Sequence, residues 1–303
     1  MNCVLCGRPN LDRQATVLRS DLIWLYKRTL EIDITRLIQT DLSILRCKDC
    51  DLIFFDPQVT GDELFYNDLQ KRDQYYQDDR PEFDWATSKI PSGASVLEVG
   101  AGNGAFALHV PQNRYTGLDL SAAAKTMAAA RGVTINTVPI EVWADENREA
   151  YDVVCHFQVL EHVSQPGRFL QACSKALKPG GMMLATVPAE DSFLSIVGNF
   201  ALNMPPHHIS RWTDKAVTAA AKIIHCKVDE IEHDAVAPVH RLWMVSEVLR
   251  HQWFGDFPPI DLRFSTRLKI AAVRRLVSLL RLDAVDQRFP GNGHTVKVAY
   301  SKP

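Results

Sequence analysis

From residue 92 onward the chain alternates two hydrophobic rhythms. Short apolar runs at 95–99, 115–118, 133–138, 151–156 and 182–187 read as strands, and stretches at 105–110, 122–130 and 169–177 read as helices between them. The last of these helices stops at Lys178-Pro179-Gly180-Gly181, because proline and glycine cannot continue a helix cheaply. Strands separated by helices of this length pair in parallel through right-handed crossovers. Past Pro188 the rhythm loosens into an apolar helix near 193–202, a helix through Lys222, a strand near 226–232 and an edge strand at 294–300. The pattern predicts an α/β fold, doubly wound around a mostly parallel seven-stranded sheet. A helical insertion at about 238–290 includes a basic helix, 262–282, where Arg263, Arg267, Lys269, Arg274, Arg275 and Arg281 interleave with Leu, Ile and Val.

Two further segments precede this alternation, so the expected organisation is a module at 1–57, a helical linker at 58–91 and a main domain at 92–303. The linker, ELFYNDLQKRDQYYQDDRPEFDW, is tyrosine-rich and acidic; Tyr66, Tyr75 and Tyr76 are expected to close over a ligand, with a plain amphipathic helix as the alternative. The module is bounded by Cys3-x-x-Cys6 and Cys47-x-x-Cys50, 40 residues apart. Two such pairs supply four thiolates in the tetrahedral arrangement that zinc accepts, and a site filled by four protein ligands is structural. Free thiols or a redox pair are the alternatives. Cys155, Cys173 and Cys226 fall in apolar or helical stretches and read as small buried hydrophobes.

With 34 basic and 36 acidic residues among 303, and 46% apolar residues, the composition is that of an ordinary globular protein and carries no nucleic-acid signature. The segment MNCVLCGRPN lacks the features of a secretory signal, and no window reaches the roughly 18 apolar residues of a membrane span. The reading is cytoplasmic, without a transmembrane segment. The basic helix leaves peripheral membrane contact open beside a solvated lid or dimer face, and nothing in the sequence signals an oligomeric state.

The segment Glu98-Val99-Gly100-Ala101-Gly102-Asn103-Gly104 places three alternate glycines where the first strand turns into the first helix. Asp119 follows at the end of the second strand, about where an acid meets a ribose hydroxyl in nucleotide-binding α/β units. Gly100, Gly102 and Ala105 also satisfy the looser dinucleotide pattern, which keeps an NAD-type oxidoreductase in view. The acid Glu98 inside the strand and Gly104 as third glycine favour a different adenosine ligand.

EVGAGNG resembles the first motif of class I S-adenosylmethionine-dependent methyltransferases, and Asp119, YDVVCHFQVLEHV and LKPGGMMLATVP follow in that family's order over 92–188. The resemblance implies a Rossmann-like methyltransferase with S-adenosylmethionine as cofactor. It places Glu98 and Gly100 to Gly104 along the methionine and ribose, Asp119 on the ribose hydroxyls and Leu120 on adenine. Ile140 and Glu141 fall near the adenine edge, and Gln158 and Val159 near the methionine end. Glu161 is expected to hold its loop. RCKDCDLIFFDPQ resembles the cysteine-rich segment ahead of the catalytic domain in a bacterial methyltransferase group, some of whose members act on sugars; Asp51 stands where that group has glycine.

PPHHISRWT follows the fifth strand, at the edge where open α/β sheets bind ligands. His208 is the candidate general base, with His207 beside it. The resemblance to sugar methyltransferases puts His208 in the place of their base and His207 in that of an acid. Capping of the helix that starts near Thr213, or a metal pair, are the other readings. His162, Tyr75, Tyr76 and Arg211 are candidates to touch the acceptor, against structural roles for His162 and Arg211. The expected activity is methyl transfer to oxygen, less readily to carbon, of a saccharide, nucleotide-sugar or other small-molecule acceptor. A quinone-like acceptor, an NAD-type oxidoreductase and an inactive binding module are the alternatives.

Overall fold

In a computed structural model that describes residues 1–71, 78–281 and 292–303, apolar side chains alternate between the two faces of one sheet. Its strands are β4 (Val96–Val99), β5 (Tyr115–Leu118), β6 (Ile135–Asn136), β7 (Tyr151–Phe157), β8 (Leu177–Pro188), β10 (Lys227–Ala235) and β11 (Asn292–Ser301). Leu97, Val99, Val154, Met183 and Ala185 join one core with helices α5 (Ile140–Glu146), α6 (Pro166–Ala176) and α7 (Asp214–Ile223). Their neighbours Val96, Val153, Cys155 and Leu184 join another with α3 (Pro81–Lys89) and Phe106. A strand buried on both faces needs apolar residues in succession, which is why these runs show no polar alternation. The strand order is β10, β11, β8, β7, β4, β5, β6. The pairs among β4 to β8 are parallel, and β11 runs antiparallel to β8 and β10. This is the expected doubly wound, mostly parallel seven-stranded sheet.

Several elements differ from expectation, among them β8, which begins at Leu177 and so takes in the Lys178-Pro179-Gly180-Gly181 stretch read as a helix stop. The strand at 133–138 shrinks to β6, an edge strand paired only with Gly117 and Leu118 and ending before Pro139, which has no amide hydrogen to donate. The stretch 105–110 forms only a 3-10 turn, Phe106–His109. The helix near 193–202 breaks into two 3-10 turns, Phe193–Ile196 and Ala201–Asn203, because Asn199 between them takes a left-handed φ of 55° that no right-handed helix contains. Helix α4 (Ala122–Ala130) forms as expected, capped by Ser121. The insertion is a helix pair, α8 (Pro238–Phe254) and α9 (Phe264–Leu279). Among its residues, α9 buries Thr266, Val273 and Val277 and exposes Arg267, Lys269, Arg274 and Arg275. Among the described residues no helix is long and apolar enough to cross a membrane.

The N-terminal segment builds a second, antiparallel sheet from β1 (Leu11–Val17), β2 (Leu42–Cys47) and β3 (Ile53–Asp56), with α1 (Arg19–Leu30) between the first two. Its fourth strand comes from far along the chain: β9 (Ser210–Arg211) pairs Phe54 with Ser210 and Ile53 with Arg211. Cys3, Leu5, Cys47, Cys50, Leu52 and Phe54 share the core of the main sheet's α6 and α7 face. The approach is close enough that a Cβ on Gly167, at the start of α6, would stand 2.6 Å from the Leu5 carbonyl oxygen, so only glycine fits there. Helix α2 (Glu63–Gln70) then leads toward the main domain.

Candidate active site

Every residue of β4 is buried, including Glu98, which is 3% exposed. Its carboxylate accepts a hydrogen bond from the Tyr115 hydroxyl. Burial pushes its pKa up to about 8, against the opposing effect of Tyr115 and with Asp119 adding to the rise. The chain then turns at Gly100, whose φ of +81° and lack of a side chain are both required, since a Cβ there would meet Val159 Cγ2 at 2.4 Å. Asp119 ties this turn to the end of β5. Its Oδ2 accepts from the Gly102 amide at 2.8 Å and its Oδ1 from the Ser121 amide at 2.8 Å. Asn103 Oδ1 accepts from the Ala105 amide at 3.2 Å.

These groups border a cavity of about 1260 Å³. Asp119, Leu120, Ile140 and Glu141 line it, as do Glu98, Gly100, Ala101, Gly102 and Asn103, and Gln158 and Val159. Gln158 holds a φ of 56° at the end of β7, with its amide donating to the Thr186 carbonyl at 2.9 Å. Gly104 faces Val133 and Ala128 instead of the cavity.

The same cavity is lined by Glu161, His162, His207 and His208, together with Leu30, Tyr66 and Leu202. Two segments meet here: the turn Leu160–His162 after β7 and the loop ahead of β9. The Ile209 amide donates to the Glu161 carbonyl at 2.8 Å, and the Phe55 amide to the Ile209 carbonyl at 3.1 Å, so the N-terminal sheet fixes the histidine loop. Each imidazole Nδ1 meets an oxygen: His162 with the His207 carbonyl at 2.7 Å, His207 with the Leu202 carbonyl at 2.9 Å and His208 with Asn203 Oδ1 at 3.2 Å. These oxygens accept, so each Nδ1 carries the proton and each Nε2 a lone pair. His207 and His208 stack with ring centres 4.5 Å apart. Burial lowers the pKa of His162 to about 4 and of His207 to about 3, and holds that of His208 well below the usual imidazole range. The rings are neutral at pH 7. Burial also raises the Glu161 carboxyl to about 8.

The structure therefore brings His162, His207 and His208 together on the cavity that also contains the glycine turn. Arg211 is not among the lining residues; it lies over the Phe55 ring, donates to the Asn203 carbonyl at 3.1 Å and faces Glu190 at 3.7 Å. Tyr75 and Tyr76 lie outside the described residues. The helix beginning at Asp214 is capped by Thr213 Oγ1, so the histidines do not cap it. Tyr66, from the linker expected to close over a ligand, lines the cavity, whereas Leu30 and Leu202 come from segments distant in sequence that no periodicity groups with it. Glu161 was legible only as a loop residue; its place beside His162 in Leu160-Glu161-His162 was the available signal.

The four module cysteines converge. Cys3 Sγ stands 3.5 Å from Cys50 Sγ and Cys6 Sγ 3.6 Å from Cys47 Sγ, all four lie within 4.8 Å of one another, and none is in a disulfide. Four sulfurs each about 2.3 Å from one ion stand about 3.8 Å apart, so the cluster fits a tetrahedral metal. Asp51 has a φ of 71°, which explains glycine in the related modules. Arg46 binds its carboxylate through two bonds of 2.8 Å and Thr213 through one of 3.0 Å.

A parallel sheet carrying an acid-flanked glycine turn, a second acid at the next strand end and a deep cavity between them defines a class I S-adenosylmethionine-dependent methyltransferase. The profile of a methyltransferase-domain family matches residues 68–231, more than half of the chain, and the chain belongs to that family. A ubiquinone biosynthesis O-methyltransferase of Albidiferax ferrireducens is 26% identical over 204 residues, covering 63% of this chain and 79% of that one. One of the same name from Pectobacterium atrosepticum is 36% identical over 126 residues, 38% of this chain and 52% of that one, so this chain spans about half of that relative. Among solved structures, an S-adenosylmethionine-dependent methyltransferase of Thermotoga maritima aligns with a TM-score of 0.50 at 16% identity, over 80% of this chain and 98% of that one, a likeness of fold.

Proposed function

We propose that this methyltransferase acts on a hydroxyl oxygen of a small quinone-type phenol held between Val159 and the three histidines. The reading is supported by His162 and His208, whose Nε2 atoms face Glu161 at 3.8 and 4.0 Å on the same cavity that the glycine turn lines. A hydroxyl donating to His208 would be aligned for attack and would lose its proton as the new bond forms. Glu161 Oε1, 4.0 Å from His208 Nε2, would steady the imidazolium that results. Leu30, Tyr66 and Leu202 supply an apolar, aromatic surround suited to a phenol ring, and the names of the relatives point the same way. The saccharide acceptor favoured by the sequence stands second, supported by the resemblance of the N-terminal module.

In this reading Asp119 binds the ribose hydroxyls, Glu98 and Gly100 to Asn103 cradle the methionine and ribose, and Leu120, Ile140 and Glu141 border adenine. The cofactor supplies an electrophilic methyl group on a sulfonium. Cys3, Cys6, Cys47 and Cys50 hold structural zinc.

The test is incubation with S-adenosylmethionine and a panel of dihydroxyphenols and nucleotide sugars, read by mass spectrometry for the gain of one methyl group. A methylated phenol supports the reading, while a methylated sugar alone overturns it. His208→Ala is expected to lower kcat by about 10²- to 10⁴-fold without loss of S-adenosylhomocysteine binding. Elemental analysis of purified protein is expected to find stoichiometric zinc.

A further inference from the structure

Among the described residues lining the cavity, imidazole and carboxylate groups gather around Glu161. His162 and His208 spend their Nδ1 protons on the His207 carbonyl and the Asn203 side chain, their Nε2 atoms face Glu161, and one ligand atom from each of His162, His207 and His208 lies within 4.8 Å of the others. Into the same space points Glu161, 1% exposed, neither of whose carboxylate oxygens has a hydrogen-bond partner among the described residues. Its Oε1 stands 3.8 Å from His162 Nε2 and 4.0 Å from His208 Nε2. Those separations are too long for a shared proton. Gathered out of water, the lone pairs favour a protonated Glu161, which is the direction its raised pKa takes; a metal ion would supply that positive charge in the proton's place.

We propose that Glu161, His162 and His208 bind a divalent first-row transition cation, with His207 stacked against His208 at its side. Two ligands each about 2.0–2.2 Å from one ion lie at most about 4.3 Å apart, so both separations fit with small side-chain movements. The Nδ1 bonds to the His207 carbonyl and Asn203 side chain are the outer contacts that orient metal-binding imidazoles and fix their tautomer. Two imidazoles and one carboxylate select a zinc-, iron- or cobalt-type ion over magnesium or calcium, which prefer oxygen alone. With three protein ligands the ion keeps open positions where it would bind and polarise an acceptor hydroxyl, and in the metal-loaded protein it takes the place of His208 as the group that acidifies that hydroxyl, since an Nε2 that ligates the ion cannot also accept a proton. That last role rests on the phenol reading; the presence of the site does not.

The full-length, zinc-loaded protein is brought to equilibrium dialysis against Co²⁺, with cobalt and zinc counted per chain and the absorption spectrum recorded. The expected result is one equivalent of metal beyond that held by the cysteines, with visible ligand-field bands and no added thiolate-to-cobalt charge-transfer band. Glu161→Gln, and the double variant His162→Ala/His208→Ala, are expected to lose that equivalent while retaining the cysteine-bound metal and S-adenosylhomocysteine binding, which report an intact fold. No equivalent beyond the cysteine site, or an extra equivalent that survives in the double variant, overturns the proposal. No methyl transfer enters this readout, so a failure of the acceptor reading and a failure of the metal site are separately visible.

Discussion

Asp119 has both carboxylate oxygens engaged before any ligand arrives, one by the Gly102 amide and one by that of Ser121. The two amides aim the group and leave each oxygen a further lone pair for the ribose hydroxyls. Asp119→Ala is therefore expected to weaken S-adenosylhomocysteine binding by about 10- to 100-fold, measured by calorimetric titration, with Asp119→Asn weakening it less. Glu98 poses a problem of charge. Its pKa rises from an ordinary 4.5 to about 8 in the fold, so the folded state binds a proton more tightly than the unfolded chain. Its contribution to stability is complete below pH 4.5 and fades as pH climbs through 8. Thermal melts of the ligand-free protein are expected to fall across that window, and Glu98→Gln, which keeps a partner for Tyr115, should remove this residue's share of the slope. A Glu98→Gln melt profile as steep as the parent's would place the titration elsewhere. Asp51 shows a different compensation: the strain of its left-handed backbone is offset by Arg46, five residues earlier, and by Thr213, a partner that its sequence neighbourhood alone does not reveal.

At the scale of elements, the parallel half of the main sheet was legible because apolar runs, glycine turns and helix stops are local signals. The two-strand edge at β10 and β11 was readable for the same reason. The histidine loop was legible as residues but not as a site, since its position depends on pairing between β3 and β9, whose partners Phe54 and Ser210 lie far apart in the chain. That pairing has a testable consequence for the cysteine cluster. Cys47 ends β2, and the Cys47 amide donates to the Leu52 carbonyl at 2.9 Å just ahead of β3, so whatever holds the cysteines also holds the strand that supports the loop. Cys47→Ser is expected to cost several kcal/mol of stability, a fraction of the roughly 10–16 kcal/mol that structural zinc supplies to small finger peptides. The same change should lower kcat while leaving S-adenosylhomocysteine affinity nearly unchanged, because the glycine turn is built without the module. Equal losses of both would mean that the module acts on the whole fold instead of the loop.

For the whole molecule, the decisive relation is between the N-terminal segment and the main sheet. Sequence composition separates residues 1–57 from the remainder of the chain, but composition does not register a shared core. Leu52 and Phe54 are buried in the same apolar cluster as residues of α6 and α7, and each such side chain is worth about 1.5–3 kcal/mol when removed from water. A second tie is polar: the Tyr26 hydroxyl, on α1, donates to the Met204 carbonyl at 2.8 Å, directly ahead of the two prolines and the histidine pair. A chain beginning at residue 58 would expose the α6 and α7 face, unpair β9 and release the loop at both ends. The expected outcome is a protein that no longer melts cooperatively and associates through the uncovered apolar face, read by calorimetry and by light scattering after size exclusion. If that shortened chain instead ran as a monomer with the parent's melting temperature and cofactor affinity, the shared core would be contributing little, and the segment would be an appendage whose only business is the acceptor. The two outcomes differ by the burial of several large apolar side chains, far more than either measurement needs to tell them apart.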